Sequence, residues 1–236
     1  MFFLLGLSLS WERSFMSSDQ KKPPETPAAN ARGLVINSSL FYLAMGVVGA
    51  LVCYYHHHSL LKILAIPQDW GRAGYLVSLG LLGAGVLLVL GYFFEEYFVS
   101  FKSLRRLLMQ FMGQLPIIGG IYLALISAVG EEILFRGAIQ PSAGLFVTAI
   151  LFGLLHLGPS RGISAWSLWA FLAGMLLGWI YQQTQSLWPS MIAHAVVNAF
   201  SLIRFRLEYC KFQEEQAKRE QAQAESESVS GVNENQ

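Results

Sequence analysis

The sequence predicts an all-α fold: a polytopic transmembrane bundle of about six helices enclosing a polar cavity within the bilayer. Three observations point there. Of 236 residues, 54% are apolar and only 13% charged, whereas soluble domains carry about 25% charged residues. The mean hydropathy is positive, +0.45. The apolar residues gather in runs near the ~20 residues that a membrane-spanning helix needs, and several of these runs carry a carboxylate or an imidazole. The net charge of +1 argues against a nucleic-acid binder, which would show a strong basic excess. Cys53 and Cys210 do not make a disulfide framework, and no histidine partners either as a nucleophile.

Residues 1–33 read as a flexible N-terminal segment outside the fold. The opening MFFLLGLSLSW is too short to span and lacks the basic stretch of a signal peptide; a start at Met16 and an interfacial stub both fit. Lys21-Lys22-Pro23-Pro24-Glu25-Thr26-Pro27 is a polar lead-in. The membrane domain is expected over 34–207, with spans near 35–55, 75–94, 117–138, 143–158, 166–184 and 188–207. The first two are plain apolar runs. The glycines between Gly80 and Gly91 lack a phosphate-cradling pattern and suit close helix packing. The third span carries Glu131, Glu132 and Arg136. The fourth is short for a span and begins after a turn expected near Gln140–Ser142. A brief turn at Leu187-Trp188-Pro189 separates the fifth from the sixth, and Trp166, Trp169, Trp179 and Trp188 sit toward segment ends as interfacial anchors. Residues 208–236, rich in Glu, Gln and Ser, have no apolar stripe and read as a flexible polar tail or frayed helical extension.

Charge bias gives an orientation. With six spans, only Lys62, Arg72 and Arg136 of the 16 lysines and arginines fall on the side opposite the termini. Positive residues collect on the cytoplasmic side, so the expectation is a multi-pass protein of the cell membrane with both termini cytoplasmic.

A charged side chain at the bilayer centre costs roughly 2.5–3.5 kcal/mol on insertion-derived scales, so three within six residues call for a role. A helix rises 1.5 Å per residue, which puts Glu131, His156, His194 and Asn198 at depths of ~13, ~20, ~10 and ~16 Å from the side opposite the termini. The polar groups of alternating helices thus fall in one layer. Glu132 and Arg136, four apart, suit an internal ion pair. Glu131 lies about 100° around the helix from Glu132, so it is the working carboxylate. His194 and Asn198 are also four apart and present an imidazole and an amide to a common point; Phe152 sets an aromatic ring beside His156 in the same way. A carboxylate and an imidazole can share a water and take its proton as it attacks a carbonyl. A second imidazole and an amide can donate to the oxyanion that forms. This set suffices for amide hydrolysis without a metal or a covalent intermediate.

Glu131-Glu132-x-x-x-Arg136, Phe152-x-x-x-His156 and His194-x-x-x-Asn198 resemble, in order and in membrane context, the three motifs of the CPBP family. That family groups the type II CAAX prenyl endopeptidases with bacteriocin-processing and immunity proteins. The resemblance covers roughly residues 117–207. It implies a glutamate-dependent intramembrane endopeptidase in which Glu131 and His156 activate water and His194 and Asn198 stabilise the oxyanion. Glu132 and Arg136 then support the site, and the partner is a membrane-embedded protein or lipid-modified peptide. No cofactor is implied.

Three other readings compete. Zinc held by Glu131, His156 and His194 would give a catalytic metal geometry, although the His-Glu-x-x-His helix is absent. A non-catalytic binding protein of the bacteriocin-immunity type would use the same polar layer to hold a peptide or head group. A transporter would use the carboxylate as a proton relay, but no internal repeat supports it. Glu95-Glu96 is expected to be solvated at the end of the second span. His56-His57-His58 reads as a wet interfacial loop, since consecutive helical side chains splay by about 100°.

Overall fold

The computed structural model describes residues 28–56, 59–157 and 164–233, and every regular element among them is helical. The lead-in through Pro27, together with His57 and His58, lies outside the described residues. In chain order the elements are α1 (Ala28–Tyr55), α2 (Leu60–Ile63), α3 (Trp70–Tyr97), α4 (Val99–Met112), α5 (Ile117–Glu132), a π-helical segment (Ile133–Ile139), α6 (Gln140–Leu155), α7 (Ala165–Thr184) and α8 (Trp188–Asn233). Three helical stretches, Arg32–Tyr55, Trp70–Tyr97 and Ile117–Leu155, are long and apolar enough to cross a membrane by length and composition. They contain the first three predicted spans and the fourth as far as Leu155. The fifth and sixth are helical too, so the helical membrane bundle stands, with α2 and α4 as additional helices between spans.

Local chemistry sets the helix ends. Asp69 caps α3 by accepting from the Arg72 amide at 2.7 Å, and Ser164 caps α7 in a reciprocal box with Ser167, each satisfying an otherwise orphaned backbone donor. Gln185 ends α7 in the left-handed region, φ 52°. The turn expected at Leu187-Trp188-Pro189 therefore closes before Trp188, which already belongs to α8.

The turn expected at Gln140–Ser142 is a correction. Those residues are helical, and the break falls at Gly144, with φ 79° and ψ 166°. Side chains rarely adopt such a conformation, so the reversal settles on the residue without a Cβ. The chain doubles back there: the rings of Phe135 and Phe152, 17 positions apart, meet edge to face at 5.0 Å. A straight helix would separate them by about 25 Å.

Helix α8 is the central element, packing against α3, α4, α5 and α7, while α1 packs on α5 and the π segment and α6 on α7. Small residues let the backbones approach. A Cβ on Gly80 of α3 would lie 2.9 Å from both Ile192 Cβ and the Pro189 carbonyl of α8. Beside it Ala84, Leu87, Ala173, Leu177, Ala193 and Val197 form one apolar cluster.

Two further findings depart from the sequence reading. α4 was not expected. Its apolar positions Phe101, Leu104 and Met112 are buried, but Lys102, Arg105 and Arg106 keep the segment below the apolarity of a span. Glu95 is not solvated either: its side chain is 17% exposed. It accepts two hydrogen bonds from Arg204 of α8, both at 2.9 Å, and lies 2.9 Å from Arg105 Nε. Glu208 completes the cluster by pairing with Arg105 and Arg204. The partners come from α4 and from α8, 109 positions away, which short-range spacing cannot register. Its neighbour Glu96 is exposed as expected. α8 continues without a break past Leu207 to Asn233, so no change of secondary structure marks the boundary placed there.

Gly80→Val should wedge α3 from α8. Overpacking costs about 1–3 kcal/mol, so the detergent-solubilised protein should melt at a lower temperature. Gly85→Ala, where a Cβ meets nothing within 4 Å, should melt no lower than the parent in the same thermal scan.

Candidate active site

Helices α5 and α8 run antiparallel, and their facing side chains form rungs. Ser127 and Glu131 are one turn apart on α5; His194 and Asn198 are one turn apart on α8. Asn198 Nδ2 donates to Ser127 Oγ at 3.0 Å, and His194 Nε2 lies 3.9 Å from Glu131 Oε2. Farther along the same interface, a Cβ on Gly120, about two turns from Ser127, would meet Leu202 Cβ at 3.3 Å.

Glu132 holds the second element of the site. Its Oε1 accepts from Arg136 Nη1 at 2.8 Å and from His194 Nδ1 at 2.8 Å. Both Glu132 and Arg136 are almost fully buried, at 0% and 1% side-chain exposure. Such a pair is tolerable only when further hydrogen bonds and packing compensate its desolvation. Arg136 finds them in the Gly174 carbonyl, 3.3 Å from Nη2, and in the face of Phe152, 4.7 Å from its guanidinium carbon. One turn further, Gln140 Nε2 donates to the Gly178 carbonyl at 2.8 Å. These two side chains tie the π segment and the start of α6 to α7. π-helical segments inside α-helices recur at functional sites.

The imidazoles are fixed by their Nδ1 atoms. A backbone carbonyl can only accept, so the 2.6 Å contact between His156 Nδ1 and the Phe152 carbonyl places the proton on Nδ1 and leaves the Nε2 lone pair free. The Phe152 ring lies 4.5 Å from that imidazole. His194 donates a hydrogen bond from Nδ1 to Glu132 and turns Nε2 toward Glu131.

Glu131, His156, His194 and Asn198 all line one cavity of about 450 Å³. Ser127 and Tyr42 line it too, and sequence reasoning missed both. A serine in an apolar helix carries no charge to mark it, and a tyrosine in the first span reads as packing. The remaining wall is mostly apolar and extends along α3, α4, α7 and α8 to the Glu95–Arg105–Arg204 cluster. Glu131 Oε2 is buried without a hydrogen-bond partner. Among the described residues, no group of three His, Cys, Asp or Glu side chains converges closely enough to hold a metal ion. Glu131, His156 and His194, the alternative zinc set, form no such group in this structure. Cys53 is buried and Cys210 half-buried, and both are free thiols. His56 is exposed in the turn after α1.

Comparisons with known proteins bear on this region. Residues 113–200 match the family model described as Type II CAAX prenyl endopeptidase Rce1-like. The chain is also similar to the uncharacterized protein YpbD of Bacillus subtilis (strain 168), at 34% identity over 93 residues, covering 39% of this chain and 48% of that protein. It thus spans about half the length of that curated relative. No solved structure matches the chain. The matched segment contains Ser127, Glu131, Glu132, Arg136, His156, His194 and Asn198, while α1 and α3 lie outside it. The likeness carried by the three motifs is borne out over this segment. With the three long apolar helices, it makes the chain an integral membrane protein.

Glu132→Leu should strand the Arg136 charge in the core. Breaking a buried pair costs about 3–5 kcal/mol, a large drop in melting temperature. Adding Arg136→Met should recover most of that stability, measured by thermal unfolding in detergent.

Proposed function

We propose that this chain, like the family matched by its residues 113–200, is a membrane endopeptidase. It would hydrolyse a peptide bond of a membrane-embedded or membrane-tethered protein inside the cavity between α5, α6 and α8. The observation that carries this reading is Glu131: a buried carboxylate oxygen without a hydrogen-bond partner, facing an imidazole in a cavity large enough for substrate.

The chain's own residues account for each step. A water between Glu131 and His156 Nε2 gives up its proton as its oxygen attacks the scissile carbonyl. The carbonyl oxygen becomes an oxyanion. His194 would donate to it from Nε2 while Glu132 holds Nδ1, a step that needs a proton on each ring nitrogen, and Asn198 donates one amide proton. Collapse breaks the C–N bond, and the proton taken from water passes to the leaving nitrogen. Glu132 and Arg136 hold the imidazole and the helices in place and take no proton. No step is routed through a metal. The excess of lysine and arginine on the side of the termini supports a multi-pass protein of the cell membrane with both ends cytoplasmic.

Glu131→Gln should lower cleavage by about 10²–10⁴-fold, the range of a general base, with the melting temperature unchanged. Membrane proteomes of cells carrying the parent and Glu131→Gln proteins are compared for new C-terminal ends, which supplies the substrate. Full activity of the glutamine variant would remove Glu131 from this role. Activity of the purified protein should also survive chelation by EDTA or 1,10-phenanthroline; loss that added zinc restores would replace the metal-free mechanism.

A further inference from the structure

Resting on the peptidase reading above, we propose that Ser127 is a positioning residue. It orients the Asn198 amide toward the oxyanion and sets the register that brings His194 against Glu131.

The hydrogen-bond directions carry the inference. Ser127 Oγ lies 3.1 Å from the Ala124 carbonyl, which can only accept, so the single hydroxyl proton points there. Toward Asn198 the hydroxyl therefore offers only lone pairs. At 3.0 Å it is the amide NH₂, not the amide oxygen, that must face Ser127. One of the two amide protons is engaged in this bond. The other remains for the cavity that Asn198 lines. Without the hydroxyl, either end of the amide could face the cavity, and the oxygen end would repel an oxyanion.

The same bond fixes a register. Ser127 is 4% exposed and stands one turn, about 6 Å, from Glu131 on α5. Asn198 stands one turn from His194 on α8. A bond closing the first rung holds the second rung in line. A helical serine could instead satisfy itself on the preceding turn alone, as the half-buried Ser39 and Ser201 do on their own helices. Ser127 differs because it also accepts from across the interface, inside the cavity.

The test uses purified full-length protein and the substrate found by the proteome comparison. Ser127→Ala should lower kcat about tenfold or more with KM within about twofold, and Ser127→Thr, which keeps the hydroxyl, should recover most of the loss. Asn198→Ala should cost about 10²-fold, the typical loss of an oxyanion donor, and Ser127→Ala/Asn198→Ala should be no worse than Asn198→Ala alone. Parental kcat in Ser127→Ala, or losses that multiply in the double variant, would overturn the proposal. A second arm needs no substrate: the melting-temperature shifts of the two single variants should not add in the double variant, and additive shifts would overturn the pairing itself. Glu131→Gln runs in parallel. If it stays active the peptidase reading falls, whereas an inactive Glu131→Gln beside a parental Ser127→Ala removes Ser127 alone.

Discussion

The site depends on one oxygen atom. Glu132 Oε1 receives a hydrogen bond from Arg136 and another from His194, so a charge pair within one helical stretch becomes a link between that stretch and α8. Two ions in so dry a place lose much of their hydration, and their mutual attraction repays this only with further partners. The structure supplies the Gly174 carbonyl and the Phe152 ring. Arg136 therefore also reaches α6 and α7, and removing any one partner leaves the others exposed to an uncompensated charge. The chemistry-bearing helices α5, α6 and α8 meet through this knot.

Its geometry gives two adjacent glutamates different surroundings. Glu132 is saturated at Oε1 and turned into the protein. Glu131, about 100° around the helix, faces the cavity. His194 joins them, with one ring nitrogen on each side. An imidazole whose Nδ1 is held has one remaining nitrogen and a fixed plane, so its Nε2 points in a defined direction. His156 reaches the same condition by a different route, through the carbonyl of its own helix at Phe152. Both imidazoles thus enter the cavity with one nitrogen already tied.

Much of this was legible in the sequence, for a physical reason: charge in an apolar run is conspicuous. Glu131, Glu132, Arg136, His156 and His194 stand out against lipid-compatible neighbours, and four-residue spacing indicates which share a face. What stayed hidden lacked such contrast. Ser127 is small and neutral, and its importance comes from a residue 71 positions away. Glu95 looked idle because its arginines arrive from α4 and α8. α4 carried an apolar stripe at Phe101, Leu104 and Met112, but a search for spans passes over a half-charged helix. The reversal at Gly144 was placed a few residues early, since Gln140-Pro141-Ser142 has the composition of a turn. Pro141 nonetheless stays within the helical stretch, and it is Gly144, free of a Cβ, that takes the non-helical dihedral angles of the reversal.

The distribution of paired and unpaired charge follows from these constraints. At one end of the cavity Glu95 and Glu208 are matched by Arg105 and Arg204. Behind the polar layer Glu132 is matched by Arg136. Charges so matched hold helices together and have little pull left for a ligand. Glu131 differs in where it points: its Oε2, without a hydrogen-bond partner like Glu132 Oε2 and Arg136 Nε behind it, lies 3.9 Å from His194 Nε2, and the residue lines the cavity. An unsatisfied polar atom in a protein interior is costly. The fold pairs Glu132 with Arg136 and leaves Glu131 on the wall of a cavity that imidazole and amide groups also line. A carboxylate on that wall is available to whatever enters the cavity, which is what the proposed peptidase reading requires of it.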